Sequence, residues 1–471
     1  MTPSLLRILA MGTAFAAGLA YRVPYLIPLY VVAFGIFLAF LSRAEEGGME
    51  AKSLRRAILL HAFSFAACRM LGVILTPLVL FVLFLFAFLQ SLLLAWLWLR
   101  LKRFLATRPA WLVPAYGAAA LLLDAGLLAA APLFGEAQSL ALPWIDYGPA
   151  LGLVRHFGQG FAVLFAFAWV ALVALSFLKR VGRKAWIAAV LVSLVAALAG
   201  RLGIRNDGPA VTLAGFGGST QALGHLSIND SLKQLGDLRG TAAHPCVVVL
   251  PELFSSRDGH LPALDLALRQ FARERNLILV WGYHDLATRH NALEICGSGE
   301  LLGTYFKHHL VPGIEDGVYD KGKGGPLRVE TAGLRLGAVI CQDDNYAGFI
   351  RGVTKPGLDL LLVPTLDWPG VAKEHLDSMR WRCLENGLIA VRGARGGFSA
   401  VIDAEGRVQA EFDGRYEGVG LARAELICDQ RTSLWRTCGP WPLRLLAMLL
   451  LTVSLVVARR QLGPNQTTCT S

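Results

Sequence analysis

The sequence predicts a polytopic α-helical membrane bundle of about eight spans, joined to an α/β domain. Three observations carry this reading. The 471 residues are 55% hydrophobic and only 17% charged, with a mean hydropathy of +0.51, whereas a soluble domain carries about 25% charged residues. The net charge is +11, yet residues 1–203 hold 17 Lys and Arg against 6 Asp and Glu, while residues 204–471 hold 28 of each. Long apolar runs fill the first part, and short β-rich runs fill most of the second. The composition excludes a disordered chain and a single cytosolic globule. A nucleic-acid partner would need a basic face on the folded soluble part, and that part is neutral, so none is expected.

The apolar runs fall near 4–20, 22–41, 57–75, 77–99, 109–133, 159–178, 185–203 and 441–458. Each is long enough, or nearly so, to cross about 30 Å of hydrocarbon at about 1.5 Å per residue. The third is interrupted by His61 and Arg69 and competes with a re-entrant or interfacial helix. The first has a basic start like a signal peptide, but a second run follows at once after Tyr21–Pro24, so it reads as a retained anchor. Basic clusters follow alternate spans: Arg43, Lys52, Arg55 and Arg56; then Arg100, Lys102, Arg103 and Arg108; then Lys179, Arg180, Arg183 and Lys184; then Arg459 and Arg460. With eight spans they share one side with Arg7, which the positive-inside rule makes cytoplasmic. Both termini are then cytoplasmic, and the loop 134–158 and the segment 204–438 face outward. The domains expected are a transmembrane part over 1–203, a periplasmic catalytic part over 204–438, and a last helix with a cytoplasmic tail over 439–471.

Within 204–438, strands are expected at 209–214, 246–250, 277–281, 335–340, 359–363 and 389–392. Helices are expected at 226–238, 261–275 and 371–386. Continuous apolar strands such as Val247–Leu250 suit a sheet covered on both faces. No GxGxxG fingerprint or Walker loop supports nucleotide binding.

Three strand ends finish in reactive side chains. Glu252 follows Val-Val-Val-Leu-Pro, Lys307 follows Tyr-Phe, and Cys341 follows Gly-Ala-Val-Ile. Taken singly, such residues are a turn carboxylate, a solvated lysine and an inert buried thiol. Sites in α/β sheets form beyond the carboxyl ends of strands. There a thiol nucleophile, a carboxylate base and an ammonium facing a developing oxyanion make a covalent acyl-transfer site. No metal or other cofactor is needed; His308 and His309 are adjacent, so on a strand they would face opposite sides.

The Glu252, Lys307, Cys341 order resembles the triad of the nitrilase (carbon–nitrogen hydrolase) superfamily. The resemblance continues through the Trp368 loop, the helix holding His375, Arg382 and Glu385, Arg395-Gly-Gly-Phe-Ser-Ala and Asp403-Ala-Glu-Gly-Arg, and spans nearly all of 209–425. With the membrane spans, Leu142-Pro-Trp-Ile-Asp-Tyr-Gly and His309-Leu-Val-Pro, it narrows to the apolipoprotein N-acyltransferase family. That likeness implies an αββα sandwich on a membrane bundle in the bacterial inner membrane. It implies a phospholipid acyl donor, a thioester on Cys341 and a diacylglyceryl apolipoprotein acceptor. Lys307 and the Gln342 backbone N–H would meet the oxyanion, Glu315 takes the place of the family's additional glutamate, Asp343 is a further supporting residue, and Trp368 and His375 are substrate-binding candidates. The chain departs from the family in Leu250-Pro-Glu-Leu-Phe, Pro312-Gly-Ile-Glu, Gln342-Asp343, Thr365-Leu-Asp-Trp-Pro-Gly and Leu213-Ala-Gly-Phe-Gly-Gly. The alternatives are a membrane-anchored amidase or other carbon–nitrogen hydrolase, and a catalytically silent binding relative. A monomer is the default. Cys428 and Cys438 either pair or stay separate thiols, and Arg69 and Asp124 are ionisable groups inside spans, where such groups are often functional.

Overall fold

The computed structural model describes residues 1–23, 26–71, 73, 77–147, 152–199, 208–225, 228–236, 238–241, 243–259, 262–354, 357–416, 418–428 and 433–459. Counting helices of eight residues or more, the first part comprises α1 (Pro3–Arg22), α2 (Ile27–Glu46), α3 (Ala51–Arg69), α4 (Pro77–Phe104), α5 (Leu112–Ala130), α6 (Gly160–Phe177) and α7 (Arg183–Ala199). A helix thus stands at each of the seven expected stretches. With the last helix, Trp441–Arg459, six of the eight are long and apolar enough to cross a membrane; α3 and α7 fall outside that set.

Local sequence sets these boundaries. Thr2 caps α1, its hydroxyl accepting from the Leu5 N–H at 3.3 Å, a usual N-terminal device. The third helix runs Ala51–Arg69 instead of 57–75. Met70 closes α3, its N–H bonding back to the Ala66 and Ala67 carbonyls, and Pro77 opens α4, at a helix start where its missing N–H costs nothing. Helices α5 and α6 touch backbone to backbone: a Cβ on Gly117 would lie 2.4 Å from the Leu164 carbonyl oxygen, the small-residue contact that packs helices in lipid.

The second part contains α8 (Ala263–Arg275), α9 (Ala347–Thr354), α10 (Ala372–Asn386) and thirteen strands, followed by α11 (Trp441–Arg459). The strands are β1 (Ala210–Gly218), β2 (Cys246–Val249), β3 (Ser255–Arg257), β4 (Leu277–Asp285), β5 (His290–Gly297), β6 (Glu300–Phe306), β7 (Leu327–Thr331), β8 (Leu334–Ala338), β9 (Leu360–Leu366), β10 (Ile389–Arg395), β11 (Phe398–Ile402), β12 (Val408–Asp413) and β13 (Val419–Ile427). They bond in the order β6-β5-β4-β2-β1-β10-β9-β8-β7. The β1–β10 pairing is confined to Gly218 with Arg395, so the sheet divides there into two halves. Side-chain alternation then gives the layers. Val247, Val249, Ile278 and Val280 of one half share a core with Leu336, Leu360, Leu362 and Val391 of the other. The opposite faces carry Val248, Leu279 and Trp281 against Leu268 and Phe271 of α8, and Leu361, Val363 and Ala390 against Leu376 and Met379 of α10. This is a helix–sheet–sheet–helix sandwich, buried on both faces of each half as the apolar strands predicted. The expected helix 226–238 is present only as Ile228–Gln234, with residues 226, 227 and 237 outside the described set. No disulfide forms among the described residues: Cys428 is buried and Cys438 exposed.

Helix α10 joins sandwich to bundle. Trp381 Nε1 donates to the Leu142 carbonyl at 3.1 Å, Arg382 Nη2 to Gln159 Oε1 at 2.8 Å, and the Gln159 N–H to Glu385 Oε1 at 2.6 Å. Arg380 pairs with Asp146 at 2.6 Å. The basic clusters gather at the other end of the bundle, where Lys102 meets Glu45 at 2.6 Å and Arg180 meets Glu46 at 2.8 Å.

Candidate active site

The three reactive side chains stand just beyond strand ends. Glu252 lies three residues past β2, Lys307 directly after β6 and Cys341 three residues past β8. All three are buried. Lys307 Nζ donates to Glu252 Oε1 at 2.8 Å and to Glu315 Oε1 at 2.9 Å. The other oxygen of Glu252 accepts from the Leu366 N–H at 2.7 Å, and that of Glu315 from the Val311 N–H at 2.7 Å. Cys341 Sγ points at the Leu366 carbonyl, 3.4 Å away. The Leu366 backbone therefore holds the carboxylate through its N–H and faces the thiol through its carbonyl.

Sequence reasoning missed Asn291. Its Nδ2 bridges Glu252 Oε1 at 2.6 Å and Glu315 Oε1 at 3.0 Å, from the middle of the sandwich. Asn291 sits in β5, whose sequence His-Asn-Ala-Leu-Glu-Ile-Cys-Gly reads as a plain strand. The one signal was a fully buried amide position among apolar neighbours, visible only once the strand is placed.

Cys341 has φ +46°, a left-handed conformation that costs a non-glycine residue energy and clusters at functional turns. The turn is held by Asp343. One of its oxygens accepts from the backbone and ring nitrogens of His309 at 2.7 and 2.8 Å. The other accepts from Tyr305 Oη at 2.8 Å and from the Ile340 N–H at 3.2 Å. Asp343 thus supports the turn and does not line the cavity. Gln342 donates to the Leu133 carbonyl at 3.1 Å, tying the turn to the 132–138 segment of the bundle. There Gly135, at φ +52°, lies so close that a Cβ would be 2.3 Å from the Asn345 carbonyl oxygen. His308 and His309 follow β6 in a turn, not on a strand as expected, with ring centres 4.9 Å apart. They stack on Phe349 and Tyr346 respectively.

Burial is the main influence on the charges. It pushes the Cys341 thiol well above its ordinary pKa, with Glu252 adding to the effect and Lys307 opposing it. The resting group is therefore a thiol, and its proton must leave as the sulfur attacks. Burial opposes the charge of Lys307, but Glu252 and then Cys341 and Glu315 outweigh it and hold the amine well above its ordinary value. The Glu315 carboxyl is raised by burial in spite of Lys307.

Beside the thiol lies a second network. His375 Nδ1 meets Asp367 at 2.6 Å and Nε2 meets Asp344 at 2.9 Å; Arg392 pairs with Asp367 at 2.6 Å. Burial disfavours the imidazolium, but Asp344 and then Asp367 raise its pKa to about 9. Among the described residues Cys341, Asp367 and His375 form a trio of metal-ligand types within 4.8 Å. Both ring nitrogens of His375 are already engaged, Nδ1 by Asp367 and Arg392 and Nε2 by Asp344, so the trio's imidazole is satisfied within the protein. Asp344, Asp367 and Arg392 were not anticipated from sequence.

Cys341, Gln342, Trp368 and His375 line an open cavity, whose empty space including its mouth is about 930 Å³. Its opposite wall is apolar and belongs to the bundle: Val79, Leu83 and Phe86 of α4, with Met70 and Val73. The other side of α4 exposes Leu78, Phe81 and Leu85. The cavity therefore lies between the sandwich and a membrane helix.

Residues 239–427 match the carbon–nitrogen hydrolase family. The chain is similar to the apolipoprotein N-acyltransferase of Pseudomonas syringae pv. tomato, 24% identical over 67% of this chain and 70% of that protein. It is also similar to those of Rickettsia bellii, 32% identical over 27% of this chain and 29% of that protein, and of Pseudomonas aeruginosa, 26% identical over 46% of each. Beyond the first, these alignments reach less than half of the relatives' own length. Among solved structures, an amidase from Nesterenkonia sp. is similar, with 22% identity, 51% of this chain and 97% of that chain covered, and a TM-score of 0.38.

Proposed function

We propose that this chain, a divergent relative of the apolipoprotein N-acyltransferases, is a membrane acyltransferase. It moves a fatty acyl chain from phospholipid, through a thioester on Cys341, to the N-terminal amine of a diacylglyceryl-cysteine apolipoprotein. The observation that carries the reading is the cavity: Cys341 lines one wall, with Leu366, whose N–H holds Glu252, beside it, and the other wall is the apolar face of α4. An acyl chain can stay among Val79, Leu83 and Phe86 while its ester carbonyl meets the sulfur.

In the first step Cys341 Sγ attacks the ester carbonyl carbon and its proton passes to Glu252. Lys307 Nζ and the Gln342 backbone N–H face the tetrahedral oxyanion; such preorganised donors strengthen in a dry site. The C–O bond breaks, Glu252 returns the proton to the lysolipid oxygen, and a C–S thioester remains. In the second step the acceptor amine attacks the thioester and gives a proton to Glu252. An amide C–N bond forms, the C–S bond breaks, and the sulfur recovers the proton. Asn291 and Glu315 keep the Glu252 and Lys307 side chains in place between the two steps.

The positive-inside rule, applied to the basic end of the bundle, supports a site facing away from the cytoplasm, with both termini on the cytoplasmic side. The test is a turnover assay of the purified protein with labelled phospholipid and a diacylglyceryl peptide. Labelled N-acyl peptide is expected. Release of free fatty acid with the peptide unchanged makes the chain a hydrolase, and N-acyl peptide formed by Cys341→Ala removes the covalent mechanism.

A further inference from the structure

Five acidic or basic side chains line the cavity: Arg22, Arg69, Asp367, Glu374 and His375. Four are matched by opposite charges. Asp367 and His375 bond each other and the Asp344–Arg392 pair, and Arg22 pairs with Glu374 across the mouth. Arg69 is different. It ends α3 and is 9% exposed. Its guanidinium carbon lies 4.0 Å from the centre of the Tyr21 ring. Among the described residues it makes one hydrogen bond, to the neutral amide oxygen of Gln90 at 3.2 Å. No carboxylate among those residues is within ion-pair distance of it. Asp124 is reached only through Gln90, whose Nε2 donates to it at 3.0 Å, and Asp124 is itself occupied by Ser139 Oγ at 2.7 Å and the Leu140 N–H at 3.2 Å.

A buried guanidinium with no carboxylate in direct contact is costly. An anion arriving in the cavity offsets that cost. Because Arg69 shares the cavity with the Cys341 sulfur and the apolar α4 wall, the anion it suits is one attached to an acyl chain. The guanidinium fork matches the oxygens of a phosphate in two parallel bonds. We propose that Arg69 binds the phosphodiester of a glycerophospholipid donor and thereby seats the neighbouring acyl ester against Cys341. This rests on the acyltransferase reading and adds the residue that recognises the donor's charge. It also gives the site a way to tell its two substrates apart. The acceptor carries an amine and no phosphate, so Arg69 favours the donor in the first step and gives the acceptor nothing to hold.

The test measures Cys341 thioester formation by the full-length protein in detergent, using two acyl esters: a diacyl phospholipid and a diacylglycerol without phosphate. For Arg69→Gln the donor KM for phospholipid is expected to rise about tenfold or more, as for loss of a charged hydrogen bond. The rate with diacylglycerol should stay within about twofold of wild type, a small fraction of such a bond's worth. Equal loss on both donors, or no loss on either, overturns the proposal. A second measurement needs no variant. Ether-linked lipids cannot be cleaved, so they compete without reacting. A phosphate-bearing ether lipid should inhibit the wild-type protein far more strongly than its phosphate-free counterpart, and inorganic phosphate should not inhibit. Equal inhibition by the two ether lipids, or inhibition by inorganic phosphate that matches the phosphate-bearing lipid, contradicts a lipid phosphodiester site. Absence of any thioester in the wild type is a different result, and overturns the acyltransferase reading itself.

Discussion

Glu252 shares one carboxylate oxygen between Lys307 and Asn291, so its position depends on a residue that no motif marks. Replacing Glu252 by Gln should lower kcat by about 10²–10⁴-fold, the usual worth of a general base, while the protein still folds and holds lipid. Asn291→Ala leaves two buried carboxylates short of a donor. A loss of about 1–3 kcal/mol corresponds to about a five- to 150-fold fall in kcat, with the donor KM little changed; a rise in KM alone would contradict a positioning role. His375 gives a pH signature. Its pKa of about 9 in the fold exceeds the ordinary 6.5, so its bridge contributes fully below about pH 6.5 and is lost as the pH climbs through about 9. The thermal midpoint of the wild type should fall across that window more than that of His375→Asn; parallel curves would remove the bridge from the account. Glu252, Lys307 and Cys341 were legible because each ends an apolar strand run. Asn291, Asp344, Asp367 and Arg392 were not, because each bonds a partner 24 to 39 residues away that the linear sequence does not set beside it.

At the scale of elements, α10 is the joint on which the site depends, with nearly all of its residues buried. Arg382 and Glu385 are fully buried and 3.3 Å apart, and burial raises the Glu385 carboxyl to about 7. Arg382→Met should destabilise the protein by about 3–5 kcal/mol, since it strands a buried carboxylate. Adding Glu385→Gln should recover much of that loss; an additive double variant would mean the pair is not coupled. In the bundle, Gly117→Ala places a Cβ against the rigid Leu164 carbonyl and should cost about 1–3 kcal/mol as overpacking, read as a lower thermal midpoint in detergent. The sequence predicted the core strands by their unbroken apolar runs. It stopped the first strand at 214, because Gly215-Phe-Gly-Gly looks like a loop. In the fold, β1 continues to Gly218, since Cβ atoms at Gly215 and Gly217 would lie 2.1 and 2.3 Å from the Arg392 and Ala394 carbonyl oxygens. The glycines are there for close strand approach. The alternating half-exposed β12 escaped notice because it carries Gln, Glu and Asp on its outer face.

For the whole molecule, the uneven charge was the readable part: all +11 lies in residues 1–203, and the structure places the paired basic clusters at the end of the bundle away from Cys341. A cysteine introduced between Lys179 and Arg183 should be closed to a membrane-impermeant thiol reagent added outside spheroplasts, and one on the exposed β12 face should be open to it; the reverse would invert the proposed orientation. How the sandwich sits on the bundle was not readable, since contacts such as Trp381 to Leu142 and Arg382 to Gln159 join residues more than two hundred positions apart. That seating makes the cavity, and the cavity makes the chemistry. Intact mass of the purified protein after incubation with a phospholipid of defined acyl chains tests this most directly. A single added acyl mass is expected that maps to Cys341, is absent in Cys341→Ala and disappears when a diacylglyceryl peptide is supplied, with the same mass then found on the peptide amine. An unmodified protein that still acylates the peptide, or an adduct that peptide never clears, would contradict it.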